Sequence, residues 1–242
     1  MEGIIPLSVA FSLQMATILN IETSTAVCSV ALAKDGNLLA LNESTLPNVH
    51  AEKLAVFIHE IMEQAALPYA ALDAIAVGTG PGSYTGLRIG TSTAKGLCYA
   101  VDKPLIIVPT LKAMAMAAVA TLKRKDVYYC SMIDARRLEV YTGLYDFEGN
   151  EITPVEAKIL DENSFKEILN TTEIAFAGDG MPKMKTLSPP EDIRRIWLDD
   201  IYASAKNMIV LSEEAFGEKQ FADVAYYEPF YLKDFVAGKK IM

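Results

Sequence analysis

The chain contains 242 residues, of which 51% are hydrophobic and 22% are charged, a mixture typical of a globular protein with a sizeable core. Its net charge of −9 excludes the basic surface that unaided binding to nucleic acid would require. No apolar run reaches the roughly 20 residues of a membrane span. Three cysteines without metal-like spacing, Cys28, Cys98 and Cys130, indicate buried free thiols in a reducing cytoplasm.

The first 14 residues are predicted to lie outside the folded domains. They include an acidic residue, Glu2, and an apolar stretch that Pro6 interrupts, a pattern that does not fit a secretion signal. A regular strand pattern begins only after Met15. We therefore predict that Met15 is the natural start, and that residues 1–14 are upstream sequence or a loose N-terminal extension.

The first half of the chain is predicted to form three strands followed by alternating helices and strands. Apolar runs and alternations predict the strands, and apolar residues at helical spacing predict the helices. Asp35-Gly36-Asn37, between the second and third strands, is typical of a hairpin turn. The predicted strands are 16–22, 26–33, 38–43, 73–78 and 105–108, and the predicted helices are 49–66, 83–100 and a third from Leu111.

The second half repeats this order of elements. Gly178-Asp179-Gly180 follows its fourth strand, just as Gly78-Thr79-Gly80 follows the fourth strand of the first half. The repeat predicts an α/β fold of two similar domains, each a mixed sheet flanked by helices, and the alternative is one α/β domain with extra strands. The predicted strands are 127–133, 138–145, 151–159, 173–177 and 193–198, with helices near 162–170 and 203–216.

Carboxylates close the first predicted strand of each half, and a duplicated fold would bring these strand ends to a common cleft. Glu22 ends the first strand and precedes Thr23 and Ser24. Asp134 ends the corresponding strand of the second half, and Asp179 lies in the second glycine corner. Acids at such a cleft can hold magnesium, and hydroxyls or glycines can bind phosphate. The pattern predicts either an ATPase or phosphotransferase cleft, or residues that only cap strands and turns.

Five glycines lie within residues 78–90, between a predicted strand and a predicted helix, a context that favours anion binding. The segment lacks the Gly-Lys-Ser/Thr of a Walker loop, and its strand does not open the sheet as in a Rossmann fold. Gly86, Gly90 and Ala94 share one face of the helix. Each interior glycine costs about 0.8–1 kcal/mol against alanine. This face therefore predicts a close contact, either with the chain's own sheet or with a helix of another subunit.

The helix predicted at 49–66 favours a contact with another subunit. Its apolar arc covers about half of its circumference, which is wider than the roughly 100° stripe that covers one sheet. His50 and His59 lie on its polar side, but two imidazoles do not supply the three or four ligands of a zinc site. The Gly-x-Ser-x-Gly elbow of a serine hydrolase is absent from the sequence.

Several motifs together resemble those of the bacterial TsaB (YeaZ) family. The resemblance extends from residue 15 to about residue 233, and its most specific part is the block at 80–88 combined with Asp-Ala-Arg at 134–136. The motifs are Ile21-Glu-Thr-Ser-Thr25, Asn48-Val-His-Ala-Glu-Lys-Leu54, Gly80-Pro-Gly-Ser-Tyr-Thr-Gly-Leu-Arg-Ile-Gly90, Ala94-Lys-Gly-Leu97, Asp134-Ala-Arg-Arg-Leu-Glu-Val-Tyr141 and Pro229-Phe-Tyr-Leu-Lys233.

The resemblance implies the fold shared by actin, Hsp70 and sugar kinases, in which two RNase H-like domains form a duplication. It implies a first, dimerising domain at 15–108 and a second at 109–233 whose C-terminal segment packs back on the first, followed by a tail at 234–242. It also implies a role in making threonylcarbamoyladenosine beside the tRNA anticodon. The chain would bind the transferase TsaD and, with it, the ATPase TsaE, would form a homodimer when alone, and would meet tRNA only through the complex.

One departure supports a non-catalytic role within that resemblance. The related transferase carries a His-x-x-x-His metal motif after the strand that follows its glycine-rich helix, where this chain has Thr110 and Met114. Neither side chain would hold the hard or borderline metal that imidazoles bind. We therefore expect no metal, no cofactor, and neither transfer nor protease activity.

Two sets of residues are predicted to matter for function. The partner or dimer interface would comprise His50, Leu54, Ile58, Met62, Tyr84, Thr85, Gly86, Arg88, Ile89, Gly90, Thr93 and Ala94. A vestigial nucleotide cleft would comprise Glu22, Thr23, Ser24, Gly80, Asp134, Arg136, Gly178 and Asp179.

Overall fold

The computed structural model describes residues 16–46, 49–189 and 192–233. The predictions for residues 1–14 and for the tail at 234–242 lie outside the described residues. The described strands form two five-stranded sheets. Each sheet is mixed, because each contains both antiparallel and parallel neighbours. This architecture confirms the predicted α/β fold with two similar mixed sheets.

The first sheet contains β1 (Thr17–Glu22), β2 (Cys28–Lys34), β3 (Asn37–Ser44), β4 (Ala74–Gly78) and β5 (Leu105–Val108). Its strand order is β3-β2-β1-β4-β5. β1 pairs antiparallel with β2 and parallel with β4, so the antiparallel meander meets the crossover strands at β1. Asp35 and Gly36 both have positive φ in the β2–β3 turn, which is the backbone that the Asp-Gly pattern predicts. The helices of this half are α1 (His50–Gln64), between β3 and β4, and α2 (Tyr84–Val101), between β4 and β5.

The second half begins with α3 (Thr110–Leu122), and its sheet contains β6 (Val127–Asp134), β7 (Glu139–Tyr145), β8 (Glu151–Ile159), β9 (Glu173–Ala177) and β10 (Arg195–Leu198). The strand order of this second sheet is β10-β9-β6-β7-β8, which repeats the first sheet strand for strand. β6 takes the place of β1, since it pairs antiparallel with β7 and parallel with β9. α3 packs against β6 and β7. The other helices of this half are α4 (Lys166–Leu169), α5 (Met181–Leu187) and α6 (Ile209–Gly217).

α1 packs on the first sheet through a single apolar stripe. Leu54, Ile58, Ile61 and Met62 recur at helical spacing and are each no more than 3% exposed in the core of the first sheet. Burying a side chain of this size contributes about 1.5–3 kcal/mol. The stripe therefore holds α1 firmly on the sheet and leaves the opposite face of the helix in solvent.

Two predicted helices differ from the structure. Residues 162–170 contain only the single turn of α4, because Ser164 and Asp161 hydrogen-bond to each other and hold the preceding residues in a loop. The helix predicted at 203–216 begins as a 3-10 turn at Ala205–Met208 and continues as α6.

The chain returns to the first sheet after β10. α6 packs against β1 and β5, and the backbone N–H of Ala222 donates to the carbonyl of Leu105 at 2.8 Å. The predicted domain boundary at 108–109 remains a prediction. No helix among the described residues is long and apolar enough to cross a membrane.

Candidate functional site

The first glycine corner, where β4 leads into α2, has several of its backbone donors bonded within the chain. Gly80 N–H donates to Thr110 Oγ1 at 3.1 Å, and Ser83 N–H donates to the carbonyl of Ser24 at 2.6 Å. Ser83 also caps α2, because its Oγ accepts from Gly86 N–H at 3.2 Å. A phosphate at this corner would have to compete with these bonds.

The Glu22 carboxylate fills the space behind this corner. Glu22 is 1% exposed; its Oε1 accepts from Ser24 N–H at 2.8 Å and its Oε2 accepts from Thr110 Oγ1 at 2.9 Å. A Cβ at Gly78 would lie less than 3.0 Å from this carboxylate, so any larger residue there would displace the Glu22 side chain. Burial raises the pKa of Glu22, although the hydrogen bonds from Ser24 and Thr110 oppose the rise. The carboxylate is thus enclosed and satisfied by its own chain.

Thr110 and Met114, the two positions at which the family resemblance implies a departure from the transferase's metal motif, have structural roles here. Thr110 is 1% exposed and joins Glu22 to Gly80 through its hydroxyl. Met114 is fully buried in the core of the second sheet. The sequence singled out these two positions by what they lack, and did not predict the bonds that Thr110 makes.

The face of α2 that carries small residues packs against Thr23, directly after the C-terminal end of β1 in the same chain. This contact corrects the prediction that a helix of a partner packs on that face. A Cβ at Gly86 would lie less than 3.0 Å from the carbonyl of Thr23, and one at Gly90 would be equally close to Thr23 Oγ1. The Thr23 hydroxyl donates to the carbonyl of Gly86 at 2.8 Å. Ala94 is fully buried in the hydrophobic core of the first sheet. Gly86, Gly90 and Ala94 therefore allow close packing within the chain and are not exposed to a partner.

The second corner, at the ends of β6 and β9, is more open. Asp134 is exposed; its Oδ1 accepts from Arg136 N–H at 2.6 Å and pairs with Lys183 Nζ at 2.7 Å. Asp179 Oδ1 accepts from Asp134 N–H at 3.1 Å. Asp179 is exposed, but neighbouring groups partly desolvate its carboxyl; this desolvation, together with the charge of Asp134, raises the pKa of Asp179, although the bond from Asp134 N–H opposes the rise. Lys183 was not singled out in the sequence.

The glycine at this second corner has a conformational role. Gly178 has a φ of +106°, and a Cβ there would lie less than 3.0 Å from the carbonyl of Met132. The structure therefore brings Asp134, Asp179 and Gly178 together at one corner, as it brings Glu22, Thr23, Ser24 and Gly80 together at the other. Each corner is held by its own neighbours, and the residues of the described ranges include no group of three or more His, Cys, Asp or Glu that could hold a metal.

Four α1 residues of the predicted interface face inward instead. His50, Leu54, Ile58 and Met62 are between 2% and 7% exposed, and the His50 ring nitrogen Nε2 lies 3.3 Å from the carbonyl of Val27. These side chains belong to the contact between α1 and its sheet, so their assignment to a partner interface is wrong. The wide apolar arc of α1 was misleading because much of it consists of this buried stripe.

The remaining predicted interface residues line an open groove between α1 and α2. Thr85 and Arg88 are exposed, while Tyr84, Ile89 and Thr93 are half-buried. Arg88 Nη1 donates to the Tyr84 hydroxyl at 3.0 Å and holds the groove's rim. The groove encloses about 500 Å³ and is lined by Ala51, Tyr84, Thr85, Arg88, Ile89, Ser92 and Thr93. We call these seven residues the α1–α2 face; the sequence reasoning missed Ala51 and Ser92, although helical spacing puts Ala51 one turn before the exposed Ala55.

The chain is similar to several known proteins in both sequence and structure. A family model described as TsaD, tRNA N6-adenosine threonylcarbamoyltransferase, matches residues 45–238. A tRNA threonylcarbamoyladenosine biosynthesis protein TsaB from Escherichia coli K12 is 32% identical over 228 residues, which cover 93% of this chain and 97% of that protein. The protein of the same name from Haemophilus influenzae is 40% identical over 129 residues, 53% of either chain. The structure of YeaZ from Pseudomonas aeruginosa matches with a TM-score of 0.78 at 27% identity, covering 90% of this chain and 100% of that one.

Proposed function

Because this chain belongs to the TsaB family, whose curated members are tRNA threonylcarbamoyladenosine biosynthesis proteins, we propose that it is a non-catalytic subunit of the tRNA threonylcarbamoyltransferase. In this role it binds the catalytic subunit TsaD and supports transfer of the threonylcarbamoyl group without taking part in the chemistry. The observation that carries the proposal is the open α1–α2 face, which lies beside a glycine corner already filled by the chain's own groups.

The state of the first corner supports the non-catalytic part of the proposal. A catalytic carboxylate needs access to a metal or to substrate. Glu22 is instead 1% exposed and bonded to Ser24 and Thr110. The backbone donors of Gly80 and Ser83 are bonded to groups of the same chain. These contacts stabilise the corner and leave it poorly suited to bind a nucleotide phosphate.

The composition of the α1–α2 face supports the binding part. It contains small or apolar side chains, Ala51, Ile89 and Thr93, together with the aromatic Tyr84 and the cation Arg88. Small side chains allow a helix to approach closely, while tyrosine and arginine are enriched at interfaces. The face therefore suits a helical surface of the transferase subunit, and in its absence a second copy of this chain.

The other partners in the proposal follow from the family resemblance and from charge. The ATPase TsaE would join the complex of this chain with TsaD, and the assembly would act in the cytoplasm. A net charge of −9 disfavours direct capture of tRNA by this chain. The tRNA would accordingly be held by the other subunits.

A mixing experiment tests this proposal. The purified chain and its TsaD partner are combined and analysed by size-exclusion chromatography with light scattering, and we expect a one-to-one complex. Ala51→Arg and Thr93→Arg introduce a bulky charge into the face from α1 and from α2, and each should weaken the complex about tenfold or more, since disruption at an interface hot spot costs about 2 kcal/mol or more. Ala120→Arg is the matched control, because Ala120 is an exposed alanine on α3, away from the face.

Two results would contradict the proposal. One is the absence of any complex with TsaD. The other is a complex that survives Ala51→Arg and Thr93→Arg as well as it survives Ala120→Arg, with all variants folded.

The exposed second corner favours one rival function. Asp134, Asp179 and Lys183 form a small charged group that solvent can reach. An ATPase or phosphotransferase built on Glu22, Asp134 and Asp179 would bind ATP with magnesium, and Asp134→Asn would abolish its turnover. Isothermal titration calorimetry of the isolated chain with ATP and magnesium separates the two readings, because the subunit proposal expects no saturable heat.

A further inference from the structure

The residues 222–233, here called the C-terminal strap, begin on the first sheet. The strap starts where Ala222 N–H donates to the carbonyl of Leu105 on the edge strand β5. Lys95 on α2 then holds it, since Nζ donates to the carbonyls of Ala225 and Tyr227, both at 3.1 Å. One side chain of α2 thus binds two carbonyls of the strap that are two residues apart.

The strap then crosses the first glycine corner. Phe230 N–H donates to the carbonyl of Thr79 at 3.0 Å, directly beside Gly80. The ring of Tyr231 packs on that of Tyr84, with centroids 4.9 Å apart. The strap therefore covers the point where β4 turns into α2.

The strap ends on the second sheet. Lys233 Nζ forms a close ion pair with Glu139 Oε2 at the start of β7. Lys183 bonds to the carbonyl of the same Glu139 at 2.9 Å and to the carboxylate of Asp134. The strap thus links the corner that contains Glu22 to the corner that contains Asp134.

Two further links join the halves at other places. One is Thr110 of α3, the helix that packs on β6 and β7, whose hydroxyl bonds to Glu22 and Gly80. The other lies between β3 and the segment after β10. The carboxylate of Glu43 on β3 accepts from the hydroxyls of Tyr202 at 2.6 Å and Ser204 at 2.8 Å, which lie between β10 and α6. Ser29 Oγ on β2 also accepts from Ala205 N–H at 3.0 Å. If the strap were released, this cluster would still connect the two halves and could serve as a hinge.

We propose that the C-terminal strap holds the two sheets in one fixed arrangement by tying the first glycine corner to β7. Relative motion is the ordinary expectation for two lobes joined by short connections, and it commonly proceeds by hinge closure. The Lys233–Glu139 pair is partly exposed and contributes little alone. The restraint comes from the pair together with the Phe230–Thr79 bond and the tyrosine contact. This inference does not depend on the proposed function.

Distances between two spin labels measure the restraint. Ala70→Cys in the first half and Glu162→Cys in the second are exposed label sites, and the three native cysteines are buried. Labelled chain is diluted in unlabelled chain so that only pairs within one molecule contribute. Three forms are compared: the full chain, a chain ending at Lys233, and a chain ending at Glu228, which keeps the Lys95 contacts but loses the crossing.

We expect the full chain and the chain ending at Lys233 to share one narrow distance distribution, and the chain ending at Glu228 to gain a longer-distance population. An unchanged narrow distribution after truncation at Glu228 would overturn the inference. So would equal broadening in the chain ending at Lys233, since the restraint would then lie in residues 234–242.

Substitutions in the full chain cover the case in which truncation at Glu228 prevents folding. Glu139→Lys combined with Tyr231→Ala reverses the charge of the ion pair and removes the tyrosine contact, so it should add the longer-distance population. Glu139→Lys combined with Lys233→Glu keeps opposite charges and the tyrosine contact, so it should not. Identical distributions for these two variants and the unmodified chain would overturn the inference.

Discussion

Replacing the glycines of α2 one at a time measures what lies against each of them. Gly90→Ala is the decisive change, and Gly96→Ala is its control on the same helix. A Cβ at Gly90 would lie less than 3.0 Å from Thr23 Oγ1, whereas a Cβ at Gly96 would have no other group within 4 Å. Both substitutions gain the same intrinsic helix propensity, so their difference reports the contact.

The expected magnitudes follow from these surroundings. Alanine in place of a helical glycine gains about 0.8–1 kcal/mol, and Gly96→Ala should show most of this gain. Overpacking of a buried site costs about 1–3 kcal/mol, so after this gain is subtracted Gly90→Ala should lose about 0–2 kcal/mol of unfolding free energy. For a chain of this size, that loss is a fall in Tm of up to about 8 °C, against a rise of about 2–4 °C for Gly96→Ala.

A double-mutant cycle identifies the obstacle. Thr23→Ala removes the hydroxyl and should restore much of the stability lost in Gly90→Ala, with the four proteins compared by urea unfolding followed by circular dichroism. Gly86→Ala should not be rescued, because its Cβ would meet the Thr23 carbonyl and not the side chain. If Gly90→Ala raises Tm as Gly96→Ala does, the close packing of α2 on the β1 end does not exist in solution.

Three further predictions concern buried acids and thiols. Burial raises the pKa of Glu22 above its ordinary value of 4.5, so the contribution of Glu22 to stability is present at lower pH and lost as the pH rises through the folded-state pKa. The Tm of Glu22→Gln, measured by thermal melts at several pH values, should therefore increase relative to that of the unmodified chain as the pH rises. An equal difference in Tm at all pH values would refute this. For Glu43, burial acts to raise the pKa, but the hydrogen bonds from Tyr202 and Ser204 lower it overall, so its stabilisation should be lost as the pH falls below 4.5, and the urea midpoints of the unmodified chain and Glu43→Gln should converge there. Burial raises the pKa of the Cys130 thiol to about 12, so a disulfide reagent should titrate this thiol only in denaturant, and rapid reaction of the native protein would contradict its burial.

The order of strands and helices could be predicted from the sequence because it depends on local periodicity. Gly78-Thr79-Gly80 and Gly178-Asp179-Gly180 occupy equivalent corners, and the repeated order of elements corresponds to two sheets of identical strand order. The helix predicted at 162–170 is longer than the observed α4, because the hydrogen bonds of the Ser164 hydroxyl with Asp161 compete with helix formation.

The neighbours of each face could not be predicted in the same way. The stripe of Gly86, Gly90 and Ala94 indicated a close contact, but only the fold brings Thr23, 63 residues before Gly86, against it. The strap shows the same limit. Residues 222–233 have no apolar periodicity, and the bonds of Lys95 and Phe230 depend on long-range placement.

Reconstituted threonylcarbamoyl transfer to tRNA measures whether this chain contributes a binding face without contributing chemistry. TsaD and TsaE are supplied with the threonylcarbamoyl donor and tRNA, and the rate of modification is measured with each form of this chain. We expect full support of the transfer from Asp134→Asn and Asp179→Asn, and strongly reduced support from Ala51→Arg and Thr93→Arg. Loss of transfer with Asp134→Asn, together with full support from the two arginine variants, would contradict it.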